Sequence, residues 1–320
     1  MIEAIRLALT EEMEADDRVM VLGEDVGAVG GVFRATDGLQ ARFGAERVVD
    51  TPLAEAAIIG TSIGLAAAGL VPVPEIQFLG FAHQAYHQVG PQMARLHYRS
   101  QGRFNAQITM RAPFGGNVDA PELHSDAYES LYTSIPGLKV VAPGTARDAR
   151  ALLRASIQDP DPVIFLEPLR GYRLVKDDVP EQGEVGELGT AAVRRAGGDI
   201  TILCWSSMVV LALQVAEACA SDGIDIEVVD LRTLAPLDTD TIVASATKTG
   251  RVIVLEEAPR TSGFGAELAA RVQEEAFLYM EAPVMRVSGL DVPYPVPSME
   301  KHYIPNAERL RRAIDRSLHY

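Results

Sequence analysis

The chain is poor in cysteine and in positive charge. Its 320 residues include 2 cysteines, and 29 lysines and arginines stand against 44 aspartates and glutamates, for a formal charge of −15. That balance argues against a nucleic-acid partner, whose phosphates are met by Lys and Arg. It suits solubility or a basic protein partner. Neither Cys204 nor Cys219 sits in a C-x-x-C motif. Both read as core thiols of a reducing compartment, so a cytoplasmic protein is expected. No window approaches the roughly 18 apolar residues of a membrane span. No basic segment precedes an apolar run near residue 1, so no secretory signal is expected. A G-x-G-x-x-G after a strand, a phosphate loop ending in Gly-Lys-Ser/Thr and an H-E-x-x-H helix are all missing, and with them three common cofactor and metal signatures. Internal repeats and low-complexity segments are lacking as well.

What is present is an alternation of strands and helices. Hydrophobic residues make up 48% of the chain, enough for a substantial core. Its length suggests about two domains. Strands are expected at 18–23, 47–50, 71–78, 107–112, 139–142 and 163–167. Helices are expected at 1–17, from 36 (with Thr36 or Asp37 as cap), at 54–69, over 83–99 and at 145–157. Such alternation predicts a parallel sheet covered by helices on both faces. An acidic, glycine-bearing stretch from 180 to 189 lacks hydrophobic period and reads as the linker. A second α/β pattern follows, with strands at 199–204, 226–230 and 252–256 and helices at 210–220, 239–247, 265–277 and 307–318. The division is therefore a first domain over 1–182, a linker over 183–198 and a second domain over 199–320.

One segment is chemically unusual. Asp50-Thr-Pro-Leu-Ala-Glu55 puts a carboxylate at the mouth of an otherwise apolar helix through Ile58, Ile59 and Ile63. A bare carboxylate there is costly unless it is paired or keeps a proton. The plain alternative is an acid favoured by the helix dipole, with Pro52 at the first turn. His124, in a polar loop after Phe114-Gly-Gly, is a second candidate, against the reading of a surface histidine. His83 and His87 lie four apart, but no third ligand accompanies them, so they read as helix-face residues.

Several runs together carry a resemblance: LGEDVG (22–27), GGVFRATDGL (30–39), DTPLAEAAIIG (50–60), EIQF (75–78), YRSQGRF (98–104), GLKVVAP (137–143) and DPVIFLEP (161–168). It continues through VVDLRTLAPLD (228–238), KTGRVIVLEEAP (248–259) and EAPVMRV (281–287). In this order, over nearly the whole chain, they resemble the beta subunit of 2-oxo acid dehydrogenase complexes. The resemblance implies a transketolase-like α/β protein: a parallel-sheet pyrimidine-binding domain, then a transketolase C-terminal α/β domain. It implies thiamine diphosphate shared with an alpha subunit in an α2β2 assembly. That alpha subunit would hold the diphosphate and its magnesium, which accounts for the missing Gly-Asp-Gly…Asn motif. The implied reaction is decarboxylation of a 2-oxo acid and acylation of a lipoyl group on a dihydrolipoyl acyltransferase.

By the same resemblance, Glu55 hydrogen-bonds a pyrimidine ring nitrogen and Phe81 stacks on the ring. Leu53 and Gln84 are further cofactor contacts, and His124 faces the substrate and serves lipoyl acylation. Ile108, Ser156, Ile157, Asp159 and Asp161 match a potassium loop built mainly from backbone carbonyls; a plain Asp-Pro turn is the competing reading. Asp291 and Tyr320 match a region that docks the acyltransferase's peripheral domain, against a simple solvated acid for Asp291. The 80–106 run and the PELHSD loop look like pyruvate-type subunits, whereas 256–268 and 286–295 look closer to the branched-chain type. Pyruvate is the favoured substrate and a branched-chain 2-oxo acid the alternative. A longer single-chain thiamine enzyme or a non-catalytic scaffold of the same fold is the remaining rival.

Overall fold

The computed structural model describes residues 1–116, 118–120, 122–177, 179–180 and 183–320. Twelve strands occur among them: β1 Val19–Gly23, β2 Val48–Asp50, β3 Val71–Glu75, β4 Thr109–Phe114, β5 Lys139–Val141, β6 Val163–Pro168, β7 Ala192–Arg195, β8 Ile200–Cys204, β9 Ile226–Asp230, β10 Thr233–Ala235, β11 Val252–Pro259 and β12 Met285–Gly289. They form two sheets, in the orders β10-β5-β6-β4-β3-β1-β2 and β12-β11-β8-β9-β7. All pairings are parallel except β10 on β5 and β7 on β9. Strands β3, β4, β6, β8 and β9 are buried at every position. This is what a parallel sheet covered on both faces requires.

Four expectations change. The helix anticipated over 83–99 is instead a 3₁₀ turn at Leu79–Ala85, a π-type turn at Gln88–Gln92, another 3₁₀ turn and one α turn at Leu96–Arg99. Pro91 inside the segment lacks an N–H and clashes with the preceding turn, so a regular ladder cannot form. The helix Leu39–Phe43 starts at Gly38, in the left-handed region, and not at a Thr36 or Asp37 side-chain cap; the Thr36 hydroxyl donates to the Val26 carbonyl instead. The strand expected over 71–78 ends at Glu75. Part of the anticipated linker, residues 192–195, is β7, paired with β9. The domain limit at 182 lies outside the described residues.

The halves are joined by more than the chain that connects them. Strand β10 leaves the second half and adds to the edge of the first sheet. Arg194 on β7 bridges Asp148 and Asp230, and Arg232 reaches Asp148 and the Thr190 carbonyl. Trp205, just after β8, donates its indole N–H to Glu129 of the first half at 2.8 Å. The other Glu129 oxygen, Oε2, is buried without a partner. Burial, with Glu256 and Glu257 nearby, pushes the Glu129 carboxyl from 4.5 up to about 7. The native chain therefore keeps a proton that the unfolded chain releases, and stability falls as pH rises across that window. Glu129→Gln still accepts from Trp205 but cannot ionise. Melting curves from about pH 5 to pH 8 should show the variant gaining on the parent as pH rises. Parallel curves would mean that Glu129 titrates normally.

Candidate active site at the switch point of the first sheet

Strands β1 and β3 are neighbours, with Gly23 opposite Glu75. From β1 the chain runs to β2 on one side, and from β3 it runs to β4 on the other. Such a reversal opens a crevice at the carboxyl ends of the strands, where α/β sheets bind ligands. Glu24 immediately follows β1. The segment after β2 leads into the helix Glu55–Ala67, so β2 delivers Glu55 to the same end of the sheet.

Glu55 is 2% exposed, and its Oε2 has no hydrogen-bond partner. Buried polar atoms are almost always satisfied, so an orphaned carboxylate oxygen at a crevice points to a missing donor. Glu24 is buried as well. Its carboxyl is raised by burial first and then by the charges of Glu55 and Asp25. Sequence reading missed Glu24, although it stands in the LGEDVG run; only the fold brings it within electrostatic reach of Glu55. Leu53, in the turn before the helix, is 76% exposed.

Phe81 and His124 come together. The turn Leu79–Ala85 packs against the helix Glu55–Ala67 and carries Phe81, half-buried. His124 ends the 3₁₀ turn Glu122–His124 and is half-buried. Its ring lies edge-on to Phe78 and Phe81, with centroids 4.7 and 5.2 Å away. Phe78 in turn meets Phe33 of the loop after β1 at 5.4 Å. Such edge-to-face contacts fix a ring plane without using its polar atoms. Gly80 permits the approach, since a Cβ there would strike the Leu123 carbonyl. Burial, with Glu122 beside it, pushes the neighbouring Asp126 up to about 6. Of the PELHSD loop, Pro121 lies outside the described residues. Gln84 is exposed on the turn that holds Phe81.

The proposed cation loop is satisfied from within the chain. Lys139 Nζ donates to Asp159 at 2.6 Å, and His97 Nδ1 lies 2.8 Å from Asp161. The carbonyls of Ile157, Ile108 and Ser156 accept from Gln107, Val163 and Asp159 at 2.9, 2.9 and 3.3 Å. Both carboxylates and these three carbonyls thus have partners within the chain. Asp291 is exposed and holds the Thr261 amide and hydroxyl at 2.7 and 2.8 Å, which keep its carboxyl below the usual range. Tyr320 is exposed under the Arg316 guanidinium. Cys204 and Cys219 are buried free thiols. Among the described residues no helix is long and apolar enough to cross a membrane.

Residues 1–174 match the transketolase pyrimidine-binding domain, and residues 189–310 match the transketolase C-terminal domain. The pyruvate dehydrogenase E1 component subunit beta of Bacillus subtilis is 49% identical over 306 residues, covering 96% of this chain and 94% of that protein. The 3-methyl-2-oxobutanoate dehydrogenase subunit beta of Mycobacterium tuberculosis is 48% identical over 322 residues, covering 99% and 91%. Among solved structures, a split-gene transketolase described as an inactive beta4 tetramer superposes with a TM-score of 0.82 at 25% identity, covering 99% of this chain and 97% of that one.

Proposed function

The chain belongs to the transketolase-like beta subunits of 2-oxo acid dehydrogenase E1 components, and from that premise we propose that it builds half of a thiamine-diphosphate site and acts with an alpha subunit on pyruvate. The observation that carries the reading is the orphaned Oε2 of Glu55, buried at the switch point. A ring nitrogen of an aminopyrimidine is the kind of partner it lacks. Thiamine diphosphate, when bound, supplies the electron sink for the carbanion left as a 2-oxo acid loses CO₂.

The chain's own residues do the rest. Glu55 would hold a proton on Oε2 toward the pyrimidine. Glu24, its carboxyl raised first by burial, stands within electrostatic reach of it. Phe81 would wall one face of the ring, and the exposed Leu53 and Gln84 would close on the cofactor from the opening. His124, oriented by Phe78 and Phe81, would carry protons and steady charge while the acyl group passes to a lipoyl thiol. The diphosphate and magnesium fall to the alpha subunit in an α2β2 assembly. Asp291 and Tyr320 offer a small docking point for an acyltransferase. Buried free thiols suit the cytoplasm.

The branched-chain reading stands second, favoured by the Mycobacterium relative, which matches 99% of this chain. The chain reconstituted with its alpha partner should turn over pyruvate about tenfold or more faster, by kcat/KM, than 3-methyl-2-oxobutanoate, since extra methylenes shift binding by about 1–3 kcal/mol. The reverse order would reassign the substrate, and turnover of neither would reject the function. The beta chain alone should be inactive.

A further inference from the structure

The stretch that carries His124 is gripped from the other half of the molecule. It leaves β4 at Gly115, and the Gly115 amide donates to the Asp126 carbonyl at 3.1 Å, closing its neck. Within it, the Ser125 hydroxyl donates to the Ala120 carbonyl at 2.6 Å. Its outer side rests on two carboxylates of the C-terminal half. The Gly116 amide donates to Glu257 Oε2 at 3.1 Å, and the Val118 amide to Glu300 Oε1 at 3.3 Å. The Ser207 hydroxyl completes Glu257, and the Tyr294 hydroxyl donates to Glu300. Tyr294 is itself fixed against Tyr303, with ring centroids 4.9 Å apart. Both glutamates are buried, 8% and 3% exposed. The approach is close enough to require glycine: a Cβ on Gly115 would strike Glu257 Oε2, and one on Gly116 would strike the Tyr294 hydroxyl.

Buried carboxylates are costly without donors. Here backbone N–H groups of the His124 segment supply part of the donor set, so each side holds the other. We propose that Glu257 and Glu300 are positioning residues that latch the His124 segment to the C-terminal half and so set the imidazole against Phe78 and Phe81. The arrangement gives the second domain a role in the acyl-transfer step without placing any of its side chains on the cofactor. It rests on the reading of His124 given above.

The test uses the chain reconstituted with its alpha partner. Glu300→Ala and Glu257→Gln should raise amide hydrogen exchange over 115–126 by about tenfold while β8 stays protected. Reductive acylation of a lipoyl peptide should fall by about tenfold, with decarboxylation to an artificial acceptor falling much less. Should Glu300→Ala fail to fold, Tyr294→Phe removes the hydroxyl that holds Glu300 and is read the same way. Unchanged exchange over 115–126, or equal losses in the two assays, overturns the latch. His124→Ala separates the two ideas. If it spares acylation, the role given to His124 falls, and the latch is then upheld or overturned by the exchange result.

Discussion

Glu55→Gln is expected to leave the chain folded and able to assemble, yet to slow deuterium exchange at the reactive carbon of bound thiamine diphosphate by about 10²–10⁴-fold, the usual worth of a placed proton-transfer group. Glutamine has the size of glutamate and can still hydrogen-bond a ring nitrogen, but it cannot share a proton. Cofactor affinity should therefore change far less than exchange, a contrast that separates chemistry from binding. A second sign should accompany it. The wild-type chain buries a carboxyl oxygen without a partner, and replacing that carboxyl group with a neutral amide should raise the melting temperature of the isolated beta chain, the exchange of stability for function common at active sites. Unaltered cofactor exchange would end the role assigned to Glu55, whatever the melting result.

Removing Arg111 should have the largest effect on stability. Its guanidinium is fully buried between β3 and β6, 2.9 Å from Glu75 and 2.6 and 3.0 Å from the two oxygens of Glu167. Tyr172 donates to the same Glu167 carboxylate. Burial alone disfavours the Arg111 charge, and Glu167 and Glu75 outweigh it. Taking out one member of a buried ion network strands the others, at a cost of about 3–5 kcal/mol. Arg111→Met should lower the denaturation midpoint accordingly, and adding Glu167→Gln should recover part of the loss because one stranded charge disappears. A cost below about 1 kcal/mol would mean that water reaches these carboxylates once the guanidinium is gone. The network also underlies the site. Glu75 lies opposite Gly23 at the switch point, and Tyr172 packs on Phe33, which touches Phe78 and through it His124.

Much of this was legible in the residues. The period of 55–67 and the buried runs of β1, β4, β6, β8, β9 and β11 are local properties. So is the oddity of one acid opening an apolar helix. What misled was also local: apolar spacing over 83–99 imitates a helix, while Pro91 withholds the hydrogen bond that would build one.

The amino-acid sequence by itself determined the alternation of strands and helices and the oddity of Glu55, because short-range periodicity is written along the chain, and its ordered motifs carried the family resemblance that marks Phe81 and His124. Only the tertiary structure decided that Glu24 lies beside Glu55, that β10 crosses to the first sheet, and that Glu257 and Glu300 hold a segment about 140 and 180 residues away. Those contacts arise from how sheets close and where loops meet. A hydrogen bond between residues so far apart leaves no period and no spacing for a reader of the chain to find.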